Sequence, residues 1–348
     1  MTMTRKDRIL KTIYRKRDLD RLPTQFDFAP RALDRLTAHL GVAAGEENLL
    51  DVLNNHIAYC YINDFFGKLR RRTGLTARIM YDNFNVGFDT AQEGLFFCDH
   101  PLADLDAWKG YKFPDPGEDS LMDITREVVG KFKGEYLTAS YQVTCLFERA
   151  YSLRGLENFL VDLYINRDFA EELLEKITLY QMEIAKRYIA EGVDCGRTGH
   201  DYGSQKGMLF SAELWREMFK PRLKRIWDVY KNAGLPVIYH SCGDFRDIIP
   251  DFIEMGLDVL HPVQPQAMPI EELAVYTGRL TFYGGLSNQI TLPFGTPEDV
   301  DAEVKRTIAV LGKNNGFILA PSNGITTDTP LENILAMLEA AKKYCTRG

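Results

Sequence analysis

The sequence predicts an α/β protein, in its simplest closed form a (β/α)8 TIM barrel with an N-terminal helical, aromatic-rich extension. From residue 136 onward, short β-rich runs alternate with helical patterns, which implies parallel strands covered by helices. Six such units and a strand-like TQFDF at 24–28 approach the eight of a closed barrel. A doubly wound open sheet is the alternative. Its usual phosphate signatures, a GxGxxG opening a helix or a Walker sequence, are missing.

The elements follow in order. Residues 4–17 read as a helix with Ile9, Leu10 and Ile13 on one face, and 24–28 reads as a strand. Between about 18 and 135 the pattern is otherwise irregular and aromatic, with Asp99-His100-Pro101-Leu102 and Phe113-Pro114-Asp115-Pro116-Gly117 as loop punctuation. Strands are then expected at 136–142, 193–198, 235–239, 257–263, 279–283 and 316–320. Helices are expected at 154–164, 167–191, 211–233, 244–255, 268–276, 296–312 and 330–345. Ser211 and Thr296-Pro297-Glu298-Asp299 are helix starts, and Gly192, Gly234 and Gly256 are stops. No linker or fixed-period repeat divides the chain, so residues 1–348 are expected to form one barrel domain, with extension and lid elements over roughly 1–135.

Composition removes several classes. With 348 residues, 45% hydrophobic and 26% charged, the chain is neither disordered nor fibrous. Its net charge of −7 and its single dense basic run, Lys68-Leu69-Arg70-Arg71-Arg72, argue against a nucleic-acid partner. No apolar run approaches the ~20 residues of a membrane span, and no apolar segment follows the basic N-terminus as a signal peptide requires. Six scattered cysteines (60, 98, 145, 195, 242 and 345) fit free thiols in a reducing compartment, so a cytoplasmic protein is expected.

The residues after the expected strands carry the functional signal. In a barrel these ends converge on one mouth. Gln142, Gln264, Gln266, Ser287, Asn288 and Asn323 fall there, with Asp27 inside the 24–28 run, and all are candidate substrate contacts. Loops favour Asn, Asp, Gly and Ser in any protein, but His, Cys, Tyr and Gln recurring after several strands point to an enzyme. His240 and Cys242 form the sharpest pair: in an extended segment they point to one side, where an imidazole and a thiolate can share a metal, and zinc suits that mixture. The alternative is a buried strand-end cysteine beside a hydrogen-bonded histidine. His200-Asp201 could add a ligand or a general acid, although only one of two adjacent residues faces the pocket. His261, before Pro262 in an apolar run, reads as structural, and Glu148-Arg149 reads as an ion pair near the mouth. No GxSxG, HExxH or CxxC is present.

These tracts, with FERAYSLRGLENFL, GVDCGRTGHDYGSQKG, IYHSCGDFRDIIPDFIEMGLDVLHPVQPQAM, YGGLSNQITLPFGTPEDV and FILAPSNGITTDTPLENI, resemble the uroporphyrinogen decarboxylase superfamily, within it the corrinoid-dependent methyltransferase branch. The resemblance runs from TRKDRILKTI to PLENILAMLEAAKKY and implies a (β/α)8 barrel. The decarboxylases hold their substrate with an arginine-rich N-terminal segment; here that stretch reads RLPTQFDFAPRAL, and Arg31 alone is a poor substitute. The methyltransferase branch carries His-x-Cys and a later third cysteine as zinc ligands. His240 and Cys242 match; the third does not, since the region reads Leu319-Ala320-Pro321-Ser322-Asn323 and Cys345 lies in the terminal helix. Asp201, Glu148 or Asn323, with water, are left to complete the set.

The resemblance therefore implies transfer of a methyl group between a small O-, N- or S-methylated substrate and the cobalt of a corrinoid carried by a partner protein, because no DxHxxG-like corrinoid motif appears here. Fewer thiolates make a metal more electrophilic, which favours demethylation with Asp201 or Tyr202 as proton donor. The aromatics Tyr59, Tyr61, Phe65, Phe66, Phe84, Phe88, Phe96 and Phe97 are expected in core, lid or docking positions. Two further readings compete: a cofactor-free decarboxylase of a porphyrinogen-like or smaller acid, and a non-catalytic corrinoid-binding barrel.

Overall fold

A computed structural model of the chain describes residues 3–42, 49–63, 79–89 and 96–346. The basic run 68–72 and the aromatics Phe65 and Phe66 lie outside the described residues. Seven parallel strands form the wall: β1 (Ile57–Cys60), β2 (Leu137–Ser140), β3 (Gly196–Gly199), β4 (Val237–His240), β5 (Val259–Val263), β6 (Thr281–Leu286) and β7 (Phe317–Pro321). β1 pairs with β2, and β3 to β7 form one continuous sheet in sequence order. Bridges at Ala139–Cys195 and Gln142–Thr198 join the two. Thr24 bridges both Asn55 and Leu319, so the 24–28 segment stands between β7 and β1 as the eighth stave. The fold is a closed TIM barrel.

Period two then sorts the side chains. Ile57, Ala139, Cys195, Ile238, Val259 and Ile318 point inward and form an apolar floor. Ile9 and Ile13 of the first helix, Arg5–Ile13, join that cluster and plug the barrel below it. The intervening residues, such as Val237, Tyr239, Leu260, Phe282 and Phe317, face the helices in the outer core. Burying each of these side chains is worth roughly 1.5–3 kcal/mol, so both layers resist disruption.

Several boundaries differ from the sequence reading. The first helix stops at Ile13 because Arg15 takes a left-handed φ of 50°. The helix expected over 211–233 is two, Ala212–Met218 and Lys220–Asn232, divided where Pro221 opens the second. That over 154–164 is Leu156–Ile165, and a helix the sequence did not show, Phe147–Arg154, precedes it, the two turning at Gly155 with φ 87°. Most consequential is β1. IAYC is too short to alternate visibly, yet it is a barrel stave, so the N-terminal third contributes two staves rather than only an appended extension. That third also holds a small antiparallel sheet (79–81, 87–89 and 97–99) and the helix Asp123–Phe132.

Glu148 and Arg149 do not pair with each other. Arg149 donates to Asp82 Oδ2 at 2.6 Å, with both side chains buried, while Glu148 accepts from the Tyr151 hydroxyl at 3.2 Å. None of the six cysteines, all of them among the described residues, forms a disulfide. No helix among the described residues is long and apolar enough to cross a membrane.

Candidate active site

One step above the apolar floor, the same alternation places polar and aromatic side chains on the barrel axis. Tyr59 (β1), Arg197 (β3), His240 (β4), His261 (β5) and Tyr283 (β6) all line one chamber of about 770 Å³. A second chamber, of about 350 Å³, is lined by Asp201, Cys242, Gln264, Asn288 and Asn323 among others. Asn288 and Asn323 belong to both, so the chambers adjoin across the His240–Cys242 segment.

On that dividing wall stand three donor atoms. His240 Nε2 lies 3.5 Å from Cys242 Sγ and 3.7 Å from Asp201 Oδ1. The three ligand atoms lie within 4.8 Å of one another, a set that can hold a metal ion. Asp201 is fixed by the Cys242 backbone N–H, which donates to Oδ1 at 2.7 Å. Asn323, in the tract where the related pattern carries its third cysteine, donates from Nδ2 to Cys242 Sγ at 3.8 Å. The loops carrying Asp201 and Cys242 cross at two glycines. Gly243 has φ 82°, and a Cβ there would sit 2.4 Å from the Gly203 backbone, so no side chain fits the crossing.

Burial governs the charges. It pushes His240 down to about 3, helped by the neighbouring Arg197 cation, so the imidazole is neutral and free to ligate. Burial and the Asp201 carboxylate raise the Cys242 thiol well above its ordinary value. A cation among these groups would reverse that balance. Glu148 is pushed up to about 8, first by burial and then by Asp201. It therefore keeps its proton near neutral pH, within electrostatic reach of Asp201 and Cys242.

The structure gathers Asp201, His240 and Cys242, with Asp27, Gln264, Asn288 and Asn323 around them. It places the others elsewhere. Tyr202 is wholly buried behind the wall, its ring against Phe147, Trp215 and Tyr239, and it reaches neither chamber. The opposite orientation of adjacent residues sends Asp201 to the mouth and Tyr202 to the outer core. Gln142 faces the helices, donating to Gln181 Oε1 at 2.9 Å and accepting from the Tyr230 hydroxyl. Ser287 is buried and holds a turn by accepting from the Ile290 N–H. Gln266 lines neither chamber, because the Ala267 and Met268 N–H groups close a tight turn on the Gln264 carbonyl.

Sequence reasoning missed Arg197, Tyr141 and Tyr283, and it assigned His261 to structure. His261 instead lines the larger chamber, its Nδ1 2.9 Å from His240 Nδ1. A usable signal was present: Arg197, His240 and His261 each lie two residues beyond an inward apolar residue of their strand.

The TIM barrel gathers a thiol, an imidazole and a carboxylate at the C-terminal ends of its strands, where enzymes of this fold carry their chemistry. The chain belongs to the uroporphyrinogen decarboxylase (URO-D) family, whose model matches residues 82–344. It is 25% identical over 243 residues to the methylcobamide:CoM methyltransferase MtbA of Methanosarcina mazei, covering 70% of this chain and 69% of that one. It is also 26% identical over 257 residues to the uroporphyrinogen decarboxylase of an Anaeromyxobacter species, covering 70% and 68%. A solved methyltransferase from Methanosarcina mazei shares the fold with a TM-score of 0.71 at 18% identity, over 99% of both chains.

Proposed function

We propose that this chain moves a methyl group between a small O-, N- or S-methylated substrate and the cobalt of a corrinoid carried by a separate cytoplasmic partner protein, with demethylation of the substrate as the forward direction. The observation that carries this reading is the Asp201–His240–Cys242 set standing between two chambers at the barrel mouth. The relatives named as methylcobamide:CoM methyltransferases support it.

The donor set suits zinc. Tetrahedral bonds of about 2.0–2.3 Å place ligand atoms about 3.3–3.8 Å apart, and His240 Nε2 lies 3.5 and 3.7 Å from the other two donors. Zinc held by His240, Cys242 and Asp201 would supply Lewis acidity to the heteroatom that loses the methyl group. The chain's own residues do the rest. The Cys242 N–H aims Asp201, and His261 sits against the far nitrogen of His240 and fixes its ring. When the methyl–heteroatom bond breaks, its electron pair stays on the heteroatom, and an alkoxide-like or thiolate-like product needs a proton. Glu148, protonated near neutral pH, is the nearby acid able to give one. Asn288 and Asn323, shared by the two chambers, supply polar contacts to the substrate.

The test is the metal content of the purified protein beside a Cys242→Ser variant, followed by methylation of a Co(I) corrinoid from a panel of methyl donors. One zinc per chain, lost in the variant, with donor-dependent methylation of cobalt, is the expected result. A second reading, cofactor-free decarboxylation of a smaller acid, is favoured by one observation: the buried Arg197 cation in the larger chamber. Release of CO2 from such an acid with no corrinoid present would establish it and displace methyl transfer.

A further inference from the structure

The larger chamber holds two charged groups that do not meet. Arg197 projects from β3 with 3% of its surface exposed. Its guanidinium lies 4.2 Å from the Tyr141 ring centroid and 5.1 Å from that of Tyr59. Nε and Nη1 have no hydrogen-bond partner among the described residues. Nη2 has only His240 Nδ1, at 3.4 Å. When His240 turns a bare Nε2 toward Cys242 and Asp201, its Nδ1 carries the hydrogen and cannot accept. The guanidinium then has π faces on its flanks and no acceptor for its donors. Such a buried fork is matched by a carboxylate, whose two oxygens take two parallel N–H bonds.

Asp27 lines the same chamber. Burial raises its carboxyl above the ordinary value, and the bond from Gln25 Nε2 at 3.1 Å and the attraction of Arg197 only partly offset this. Asp27 and Arg197 feel each other's field, yet among the described residues Asp27 bonds Gln25 and Arg197 bonds His240, not each other. Around them stand Tyr59 and Tyr283, joined through their hydroxyls at 2.7 Å, and an apolar wall that includes Leu33, Leu49 and Leu53. The chamber is thus divided into a cationic fork, a carboxylate and aromatic faces. A purely apolar or singly charged ligand leaves one of the charges uncompensated.

We infer that the larger chamber recognises a methyl-onium carboxylate, a small zwitterion whose carboxylate seats on Arg197 and whose quaternary ammonium or sulfonium centre faces Asp27 and the tyrosine rings. An onium centre has no N–H to donate, so a carboxylate's field and aromatic faces are what can hold it. The chemistry is simpler than for a neutral donor, because an onium heteroatom already carries the positive charge that a Lewis acid or the Glu148 proton would otherwise supply. The C–N or C–S bond breaks with its pair returning to the heteroatom, which loses its positive charge. The methyl carbon takes a new pair from the partner's reduced cobalt. A neutral amine or sulfide departs, and no proton is consumed. The donor role assigned to the onium methyl rests on the methyl-transfer reading; the binding does not, and it is tested without corrinoid.

Titration calorimetry on the full chain would compare four probes. Trimethylammonioacetate and dimethylsulfonioacetate carry both charges, 3,3-dimethylbutanoate only the carboxylate, and tetramethylammonium only the cation. The zwitterions should bind at least tenfold more tightly than either singly charged probe, and the tighter of the two names the heteroatom. Arg197→Met should weaken the zwitterions and dimethylbutanoate about tenfold or more and leave tetramethylammonium unchanged. Asp27→Asn should weaken the zwitterions and tetramethylammonium and spare dimethylbutanoate. Arg197→Lys keeps the buried charge but loses the two parallel donors; should the methionine variant misfold, it must still weaken the carboxylate probes and leave tetramethylammonium unchanged. Zwitterions binding no better than the singly charged probes, or an unchanged ranking in the Arg197 variants, would overturn the inference. Zwitterion binding without any methyl reaching cobalt would refute methyl transfer alone. Turnover of a neutral methyl donor with no zwitterion binding would refute this inference alone.

Discussion

His240 and His261 occupy the same register of neighbouring parallel strands, and their Nδ1 atoms approach to 2.9 Å. Only one of the two nitrogens can carry the shared hydrogen. Both rings are neutral, since burial pushes His240 to about 3 and His261 well below its ordinary value. If His240 donates from Nδ1, its Nε2 presents a lone pair toward Cys242 and Asp201, the tautomer a metal requires. The pair therefore acts as a selector of tautomer.

Replacing His261 with Phe keeps the ring volume and removes the acceptor. Zinc affinity should fall by about 10–100-fold while the thermal midpoint of the metal-free protein moves little. Competition with a chromophoric chelator reads the affinity directly. An unchanged affinity would show that His240 is oriented by something other than its neighbour.

Asp201 is the third donor of the set, and its distance to His240 Nε2 makes it the carboxylate partner of that imidazole. Asp201→Asn keeps the shape and the bond from the Cys242 N–H but removes the charge. Metal retention after dialysis should drop in Asp201→Asn and vanish in Cys242→Ser, with circular dichroism unchanged in both. Full retention in Asp201→Asn would pass the third position to Asn323 or to water.

The barrel was legible because its strands from 136 onward are bounded by turn residues and separated by long amphipathic helices. The stave Ile57–Cys60 was not, since four residues inside an aromatic stretch give no period to read. The site divides in the same way. His240, Cys242 and Asp201 could be found as unusual residues after strands. Arg197 and His261 lie within strands, where only the inward register, fixed by pairing, shows that they meet. Tyr202 and Gln142 were misplaced for the converse reason. Both follow strand segments, but their register turns them toward the helices.

Gly243 is held at φ 82° with the Gly203 backbone 2.4 Å from where a Cβ would be. Gly243→Ala must push apart two backbone segments and adopt a left-handed conformation, at a cost of about 2–4 kcal/mol. Urea unfolding would show this as a lower midpoint with an unchanged slope. Because the crossing sets the spacing of Asp201 and Cys242, zinc retention should fall with it. Gly110→Ala, with open space around its Cβ, is the control and should be nearly silent.

Stability should decline in mild acid. Burial pushes His56 and His200 to about 3, in the case of His56 with help from the Arg8 cation. Their pKa values are depressed in the folded state, so between about 6.5 and 3 the unfolded chain binds protons that the native chain refuses. Stability is complete above the unfolded pKa and is lost as pH falls, by about 2 kcal/mol for each such histidine at pH 5. Glu148 runs the other way: the native state holds its proton up to about 8, so it favours folding at low pH and opposes it as pH rises. Urea titrations at pH 7 and 5 should show a net loss in the wild type and a smaller one in His200→Asn. An equal loss in both would mean that His200 accepts its proton without unfolding the aromatic core around it.

The buried pair of Asp82 and Arg149 offers the sharpest test of how the region beside the barrel is held. Arg149 donates to Asp82 Oδ2 at 2.6 Å, while Asp82 Oδ1 accepts from the Phe84 and Val86 N–H groups at 2.9 Å each. The Arg149 guanidinium also lies 4.0 Å from the centroid of the Phe84 ring, so one cation fastens the 82–86 turn to the helix Phe147–Arg154. Removing only the cation, in Arg149→Met, leaves the buried carboxylate without its countercharge and should cost about 3–5 kcal/mol. Removing both charges, in Asp82→Asn with Arg149→Met, avoids the stranded charge and should cost less than the sum of the two single changes. A double-mutant cycle in urea measures that difference. Strict additivity would mean that the turn is held by its backbone bonds and aromatic packing, with the ion pair contributing nothing of its own.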